Sequence, residues 1–241
     1  MSTFVLVHGA WQGTSTWDLV APKLQTAGHT VFTPVLTGLG QDSQRLSPSV
    51  NLDTHIDDVT GILKCEDLHS VTLVGHSYAG MVITGVAERE SLRLGRLIYV
   101  DAFVPDNEAS ALDLLPEAIQ ESFRQEAREK GAGWRLPARE SLLDLWGLQP
   151  GTSRDFVRDR LCDFTLRCFE QKVRLPLNAA ATIKRTFIAA VAQSYPARFV
   201  FQRFAERARR ELWDYREINA GHDCHVEAPD RFVSLLLAGD A

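Results

Sequence analysis

The sequence predicts an α/β domain, a mostly parallel sheet with helices on both faces and a helical cap inserted between two late strands. Three observations carry that prediction. Short apolar runs alternate with segments of helical periodicity over residues 1–105 and again over 183–241. The alternation breaks over residues 106–182, a long stretch whose patterning is mainly helical. Finally, the strand-like run 71–74 passes straight into Gly75-His76-Ser77-Tyr78-Ala79-Gly80, a serine hemmed in by small residues.

The elements follow in chain order. Residues 3–7 read as a first strand ended by His8-Gly9. Residues 16–27 have helical periodicity, with Trp17, Val20, Leu24 and Ala27 on one side and Gly28 as a stop. A second strand is expected over 29–36, then a loop rich in Gly, Ser and Pro. Residues 51–64 form a helix with Asp53, Asp57 and Asp58 near its positive end. The run 71–74 is the strand feeding the serine turn, and 81–89 the helix leaving it. Strands are expected at 97–103, 184–191 and 213–218, with helices at 197–209 and 229–237. Within 106–182, helical segments at 109–129, 139–148 and 152–170 carry Phe123, Trp134, Trp146, Phe156, Phe164 and Phe169. Those rings serve either as a satellite core or as the roof of a pocket.

At 241 residues, 45% hydrophobic and 24% charged, the chain has material for one large core with an insertion. A net charge of −5 without basic, aromatic-interleaved runs argues against nucleic acid. Arginine far outnumbers lysine, as in products of GC-rich bacterial genomes. The cysteines Cys65, Cys162, Cys168 and Cys224 show neither zinc spacing nor a disulfide framework, and read as free thiols. With a first strand beginning at Thr3 and no long apolar run, no signal peptide or membrane span is expected. The expectation is a cytoplasmic protein without metal or organic cofactor, with a small hydrophobic molecule as its partner and a homodimer left open.

The turn at Ser77 has the form of a nucleophile elbow. Small residues two before and two after the serine, Gly75 and Ala79, let strand and helix backbones approach, with the hydroxyl standing clear of the sheet. A serine hydroxyl needs a base within hydrogen-bond reach. His222 follows the last strand across the short loop Asn219-Ala220-Gly221 and can reach back over the strand ends. His225 is a rival if the loop register differs. His76 sits inside the elbow, His8 orders the loop after the first strand, and His29, His55 and His69 read as solvated or capping residues at element edges. Oxyanion donors are expected from the backbone N–H groups of Tyr78 and Ala10, with Gly9 letting that loop come close to substrate. The orienting acid is less direct. After strand 184–191 the chain reads Ala192-Gln193-Ser194-Tyr195-Pro196, without a carboxylate. Asp101, at an otherwise apolar strand end, is the alternative, since a buried carboxylate there needs a partner such as imidazole. Asp223, adjacent to His222, is the weaker choice. Trp11, Tyr78, Gly9 and Trp146 are expected to shape the pocket.

This order of first-strand His-Gly, elbow Ser, mid-chain cap and late Gly-His resembles the α/β-hydrolase fold over essentially the full chain. Residues 4–11 with Trp17, 75–88 and 221–229 look like a branch holding small bacterial esterases, plant methyl-salicylate esterases and hydroxynitrile lyases. The resemblance implies Ser77 as nucleophile, His222 as base, and Ala10 and Tyr78 as oxyanion donors. Some bacterial members also carry an Asp in a strand like Tyr99-Val100-Asp101-Ala102-Phe103, which favours Asp101. The S-selective lyases have threonine in place of Gly9 and lysine in place of Asp223, so the resemblance implies esterase or thioesterase chemistry over cyanohydrin cleavage. Unusual chemistry in a natural-product pathway (a lyase, lactone or epoxide opening, or cyclisation) and a non-catalytic ligand-binding protein are the alternatives.

Overall fold

Eight strands organise the computed structural model, which describes residues 1–238. They are β1 (Thr3–Val7), β2 (Thr30–Phe32), β3 (Val71–His76), β4 (Leu94–Val100), β5 (Arg135–Leu136), β6 (Phe164–Thr165), β7 (Lys184–Ala190) and β8 (Asp214–Ile218). Six of them form one sheet in the order β2-β1-β3-β4-β7-β8, every neighbouring pair parallel. β5 and β6 pair antiparallel in a separate ribbon.

Alternation along each strand sends side chains to two cores. Phe4 and Leu6 of β1 pack with Trp17, Val20, Leu24 and Phe232 on one face. Val5 and Val7 pack with Ile56, Val59, Met81 and Ile83 on the other. The helices covering these faces are α1 (Ala21–Thr26), α2 (Leu52–Cys65), α3 (Ala79–Glu90), α8 (Arg198–Arg210) and α10 (Pro229–Leu237). Asn51 caps α2, its side chain accepting from the Thr54 N–H at 3.0 Å. The remaining helices are α4 (Glu117–Lys130), as long as α2, and the short α5 (Ser141–Leu145), α6 (Thr152–Arg158) and α7 (Leu166–Glu170) between β4 and β7, with α9 (Cys224–Glu227) before α10.

Several boundaries differ from the sequence expectation, each for a local reason. The helix expected over 16–27 is a 3₁₀ turn at Thr14–Trp17 followed by α1, because Pro22 cannot continue a helix but fits its first turn. The second strand stops at Phe32, two residues before Pro34. β4 starts at Leu94 and ends at Val100, because Asp101 takes up a left-handed φ of 41°. The helix expected from 109 begins only after Pro116, and the one expected over 152–170 is split into α6 and α7 by β6.

The chain runs from β1 to β2 on one side and returns to β3 on the other, which opens a crevice at the carboxyl ends of β1 and β3. Among the described residues no helix is long and apolar enough to cross a membrane.

Candidate active site

Ser77 stands at that crevice, one residue beyond β3, with φ of 57°. A left-handed non-glycine residue costs about 1–3 kcal/mol unless its surroundings hold it. Here the Ser77 N–H donates to Val100 O at 3.1 Å, and the Ser77 carbonyl accepts from the Phe103 N–H at 3.1 Å, so the turn is pinned to the exit of β4. Gly80 makes this approach possible, for a Cβ there would run into the Phe103 carbonyl oxygen.

His222 and Asp101, both about 2% exposed, complete a hydrogen-bonded chain behind the serine. His222 Nε2 lies 2.8 Å from Ser77 Oγ, and His222 Nδ1 lies 2.7 Å from Asp101 Oδ2. The imidazole is held on all sides. Its backbone N–H donates to Trp146 O at 2.9 Å, its carbonyl is 2.9 Å from His76 Nε2, and the Phe201 ring stacks on it at 4.8 Å. The Asp101 N–H donates to Ile188 O at 2.8 Å, which fixes the turn that aims the carboxylate.

Burial acts on both partners towards neutrality, raising the Asp101 carboxyl to about 7 and lowering the His222 imidazole. Hydrogen bonds from Tyr195 and from the Ala190 N–H pull Asp101 back towards the ionised form. The two groups share one hydrogen bond and take up a proton as a unit.

Gly9 lies directly against the serine: a Cβ on it would stand 3.1 Å from Ser77 Cβ and 3.1 Å from His76 Nδ1. Ala10 follows it at the mouth of β1, whose Val7 is in register with Gly75. Trp11 has a left-handed φ of 60° and donates from Nε1 to Leu136 O at 3.1 Å. Its ring meets Phe123, Trp146, Phe164 and Phe169 at centroid distances of 5.6–6.3 Å. The Trp146 ring also lies 5.9 Å from His222. Tyr78 is fully buried, its hydroxyl 3.1 Å from His55 Nδ1 and its ring 5.0 Å from Phe164.

The rival groups go elsewhere. His225 Nε2 lies 2.7 Å from Thr16 Oγ1, and Asp223 accepts from Gln12 Nε2 at 2.5 Å. His55 departs from its expected place at an exposed helix edge: it is buried, bridging Tyr78 and the Thr37 carbonyl, and burial lowers it to about 4. Its helical position gives that away, since Leu52, Ile56, Val59 and Leu63 share its face.

Two features escaped the sequence reading. Tyr195 places its hydroxyl 2.8 Å from Asp101 Oδ2 and 3.0 Å from His222 Nδ1. The only sign of it in the sequence is an aromatic residue in the five-residue stretch after β7, which holds no carboxylate. Second, His76, Asp223 and His225 converge in the interior, candidate ligand atoms within 4.8 Å of one another. Among the described residues His76 Nδ1, Asp223 Oδ2 and His225 Nδ1 have no hydrogen-bond partner.

Comparison with known proteins agrees with this architecture. The model of the alpha/beta hydrolase family matches residues 4–235. A carbendazim hydrolyzing esterase from Nocardioides sp. (strain SG-4G) is 35% identical over 99% of both chains. Methylesterase 2 of Arabidopsis thaliana is 30% identical over 66% of this chain and 59% of its own. Among solved structures, an extracellular alpha/beta-hydrolase from a Paenibacillus species superposes with a TM-score of 0.82. It covers 98% of both chains at 23% identity, a likeness of fold. The chain therefore belongs to the alpha/beta hydrolase family.

Proposed function

We propose that the protein is a serine esterase that cleaves small to medium hydrophobic carboxylic esters or thioesters through an acyl-enzyme. It is an enzyme of the ester-hydrolysing type, in keeping with its full-length esterase relative. The observation that carries the mechanism is the continuous chain Ser77 Oγ–His222 Nε2, His222 Nδ1–Asp101 Oδ2, with bonds of 2.8 and 2.7 Å. In this reading His222 takes the Ser77 proton as the oxygen attacks the ester carbonyl, and Asp101 fixes the tautomer and stabilises the imidazolium. The backbone N–H groups of Ala10 and Tyr78 receive the oxyanion; in the described turns and loops neither donates to a backbone carbonyl. His222 then returns its proton to the leaving oxygen or sulfur. It next activates the water that releases the acid and frees Ser77.

Residues 106–182 act in this reading as a cap over the crevice. Their Phe123, Trp146, Phe164 and Phe169, set around Trp11, favour an apolar and aromatic substrate. Four free thiols fit a reducing, cytoplasmic setting.

The test is intact mass after incubation with a fluorophosphonate, with Ser77→Ala as control. One adduct on the wild type and none on the variant is expected, together with turnover of p-nitrophenyl esters by the wild type alone. A folded wild type that acquires no adduct and hydrolyses no ester would sink the reading.

A further inference from the structure

The exit of β7 folds back onto the site. The Val191 N–H donates to Ile218 O at 2.9 Å and the Ala192 N–H to Ala220 O at 3.1 Å, which ties this segment to the loop carrying His222. From the other side, Leu145 O accepts the Ala197 N–H at 3.0 Å while Trp146 O accepts the His222 N–H. Tyr195, 3% exposed, is thus wedged between sheet and insertion, its ring stacked 5.7 Å from that of His222 at an interplanar angle of 27°. Its phenol has one acceptor in reach that carries charge. Asp101 Oδ2 faces two donors, the Tyr195 O–H and the His222 Nδ1–H, while Oδ1 meets the Ala190 N–H at 3.4 Å.

We propose that Tyr195 is a positioning residue of the hydrolytic site, its hydroxyl holding the Asp101 carboxylate on His222 Nδ1 from the end of β7, where no carboxylate stands. This rests on the reading of Ser77, His222 and Asp101 as a triad. The physical need is specific to an acid placed after β4. Asp101 is buried and, among the described residues, has no Arg or Lys in contact, so donors must keep it ionised. A protonated Asp101 would donate to Nδ1 and drive the imidazole proton to Nε2, the atom that must accept from Ser77. Burial keeps the phenol pKa well above 10, so Tyr195 remains a donor throughout the working range.

Other groups also face the pair. Arg198, Glu206 and Arg209 of α8 and Tyr215 of β8 line the cavity behind Asp101. Asp223 on the loop after β8 and Cys224 at the start of α9 stand beside it, and Arg198 favours its charge from a distance. All of them persist when only the phenolic oxygen is removed.

The experiment is the pH dependence of kcat/KM on p-nitrophenyl butyrate for the wild type, Tyr195→Phe, Asp101→Asn and the double variant. Tyr195→Phe is expected to move the acid limb to higher pH. It lowers kcat/KM by about 10–100-fold at pH 6.5, as loss of one donor to a charged group implies, and recovers towards wild type above pH 8. In the Asp101→Asn background the same change costs less than about 2-fold, because its effect passes through the carboxylate. An equal loss at every pH and in both backgrounds, or an unmoved acid limb, overturns the proposal. If Tyr195→Phe does not fold, Tyr195→3-fluorotyrosine, a stronger donor of nearly the same shape, must move the limb to lower pH; a stationary limb again overturns it. A wild type with neither turnover nor fluorophosphonate adduct instead removes the triad reading on which the proposal stands.

Discussion

The two walls of the proposed site are held by different forces. The wall built from the strand ends is directional: Ser77, His222, Asp101 and Tyr195 are joined by hydrogen bonds of 2.7–3.0 Å. Ser77 and Asp101 both sit on left-handed turns fixed by backbone bonds. The wall that the proposed cap, residues 106–182, would supply is mostly ring packing: Trp11 meets Phe123, Phe164 and Phe169, and Phe169 meets Phe123 and Phe164, at 5.2–5.7 Å. Hydrogen bonds tolerate errors of a few tenths of an ångström, whereas apolar contact is non-directional and scales with area. In the proposed function the first wall is thus suited to fixing reacting atoms and the second to holding substrates of varied shape.

The largest effect that would sharpen this division is at Asp101. In the proposed triad, Asp101→Asn leaves the shape intact but presents an amide to Nδ1, favouring the wrong tautomer. A fall in kcat of up to ~10⁴ with KM little changed is expected, read from steady-state ester hydrolysis. Near-wild-type kcat would move the orienting role away from Asp101 and leave the strand-end wall without its charged anchor.

The two walls also differed in how far they could be read from the sequence. Ser77 and His222 are marked by local patterns, small residues around a turn and a Gly-His after the last strand, and local patterns survive without knowledge of the fold. Asp101 is less direct: no carboxylate follows β7, and its case in the sequence rests on a carboxylate at an apolar strand end and on the resemblance carried by the strand Tyr99-Val100-Asp101-Ala102-Phe103. Tyr195 could not be reached at all: its partner lies 94 residues away, and only the pairing of β4 with β7 brings them together. In the insertion, helical patterning placed Phe123, Phe164 and Phe169 either in a satellite core or in the roof of a pocket, and could not show that all three converge on Trp11. There the expected long helices broke at Pro116 and at β6, so each ring's direction depends on packing between elements.

A medium effect separates the walls by pH, since all seven histidines lie outside residues 106–182. Burial lowers His8 and His55 to about 4, and His76, His222 and His225 are lowered as well. The unfolded chain binds these protons near pH 6.5 while the folded one refuses them. Their stability is therefore present above about pH 6.5 and is lost as pH falls towards the folded values. Asp101 and Asp223, raised to about 7, act in the opposite sense: their contribution is complete below about pH 4 and lost as pH rises through 7. His222 and Asp101 offset each other, and His8, His55, His76 and His225 outweigh Asp223, Glu227 (which burial also raises to about 7) and Asp58, raised by burial as well. At ~1.4 kcal/mol per pH unit for each uncompensated group, unfolding free energy should fall by a few kcal/mol between pH 6.5 and 5. Urea titrations at the two pH values check the total. Hydrogen exchange should quicken first in the loops after β1 and β8 and later in α4; the reverse order would overturn the contrast between the walls.

The smallest effect tests the insertion directly. Phe123 in α4 is half-buried, its ring 5.7 Å from Trp11 and 5.4 Å from Phe169. Phe123→Ala removes apolar surface from the roof but touches none of the hydrogen bonds that join Ser77 to Asp101. If the roof contributes equally to substrate and transition state, KM for p-nitrophenyl butyrate rises by about 10-fold while kcat stays within about 3-fold. The rise should grow with acyl length, because each methylene that loses its apolar neighbour forfeits up to ~0.8 kcal/mol. A fall in kcat comparable to that of Asp101→Asn would place the roof in the transition state. The packing wall would then share the work of the hydrogen-bonded one, and the division between holding and reacting would not stand.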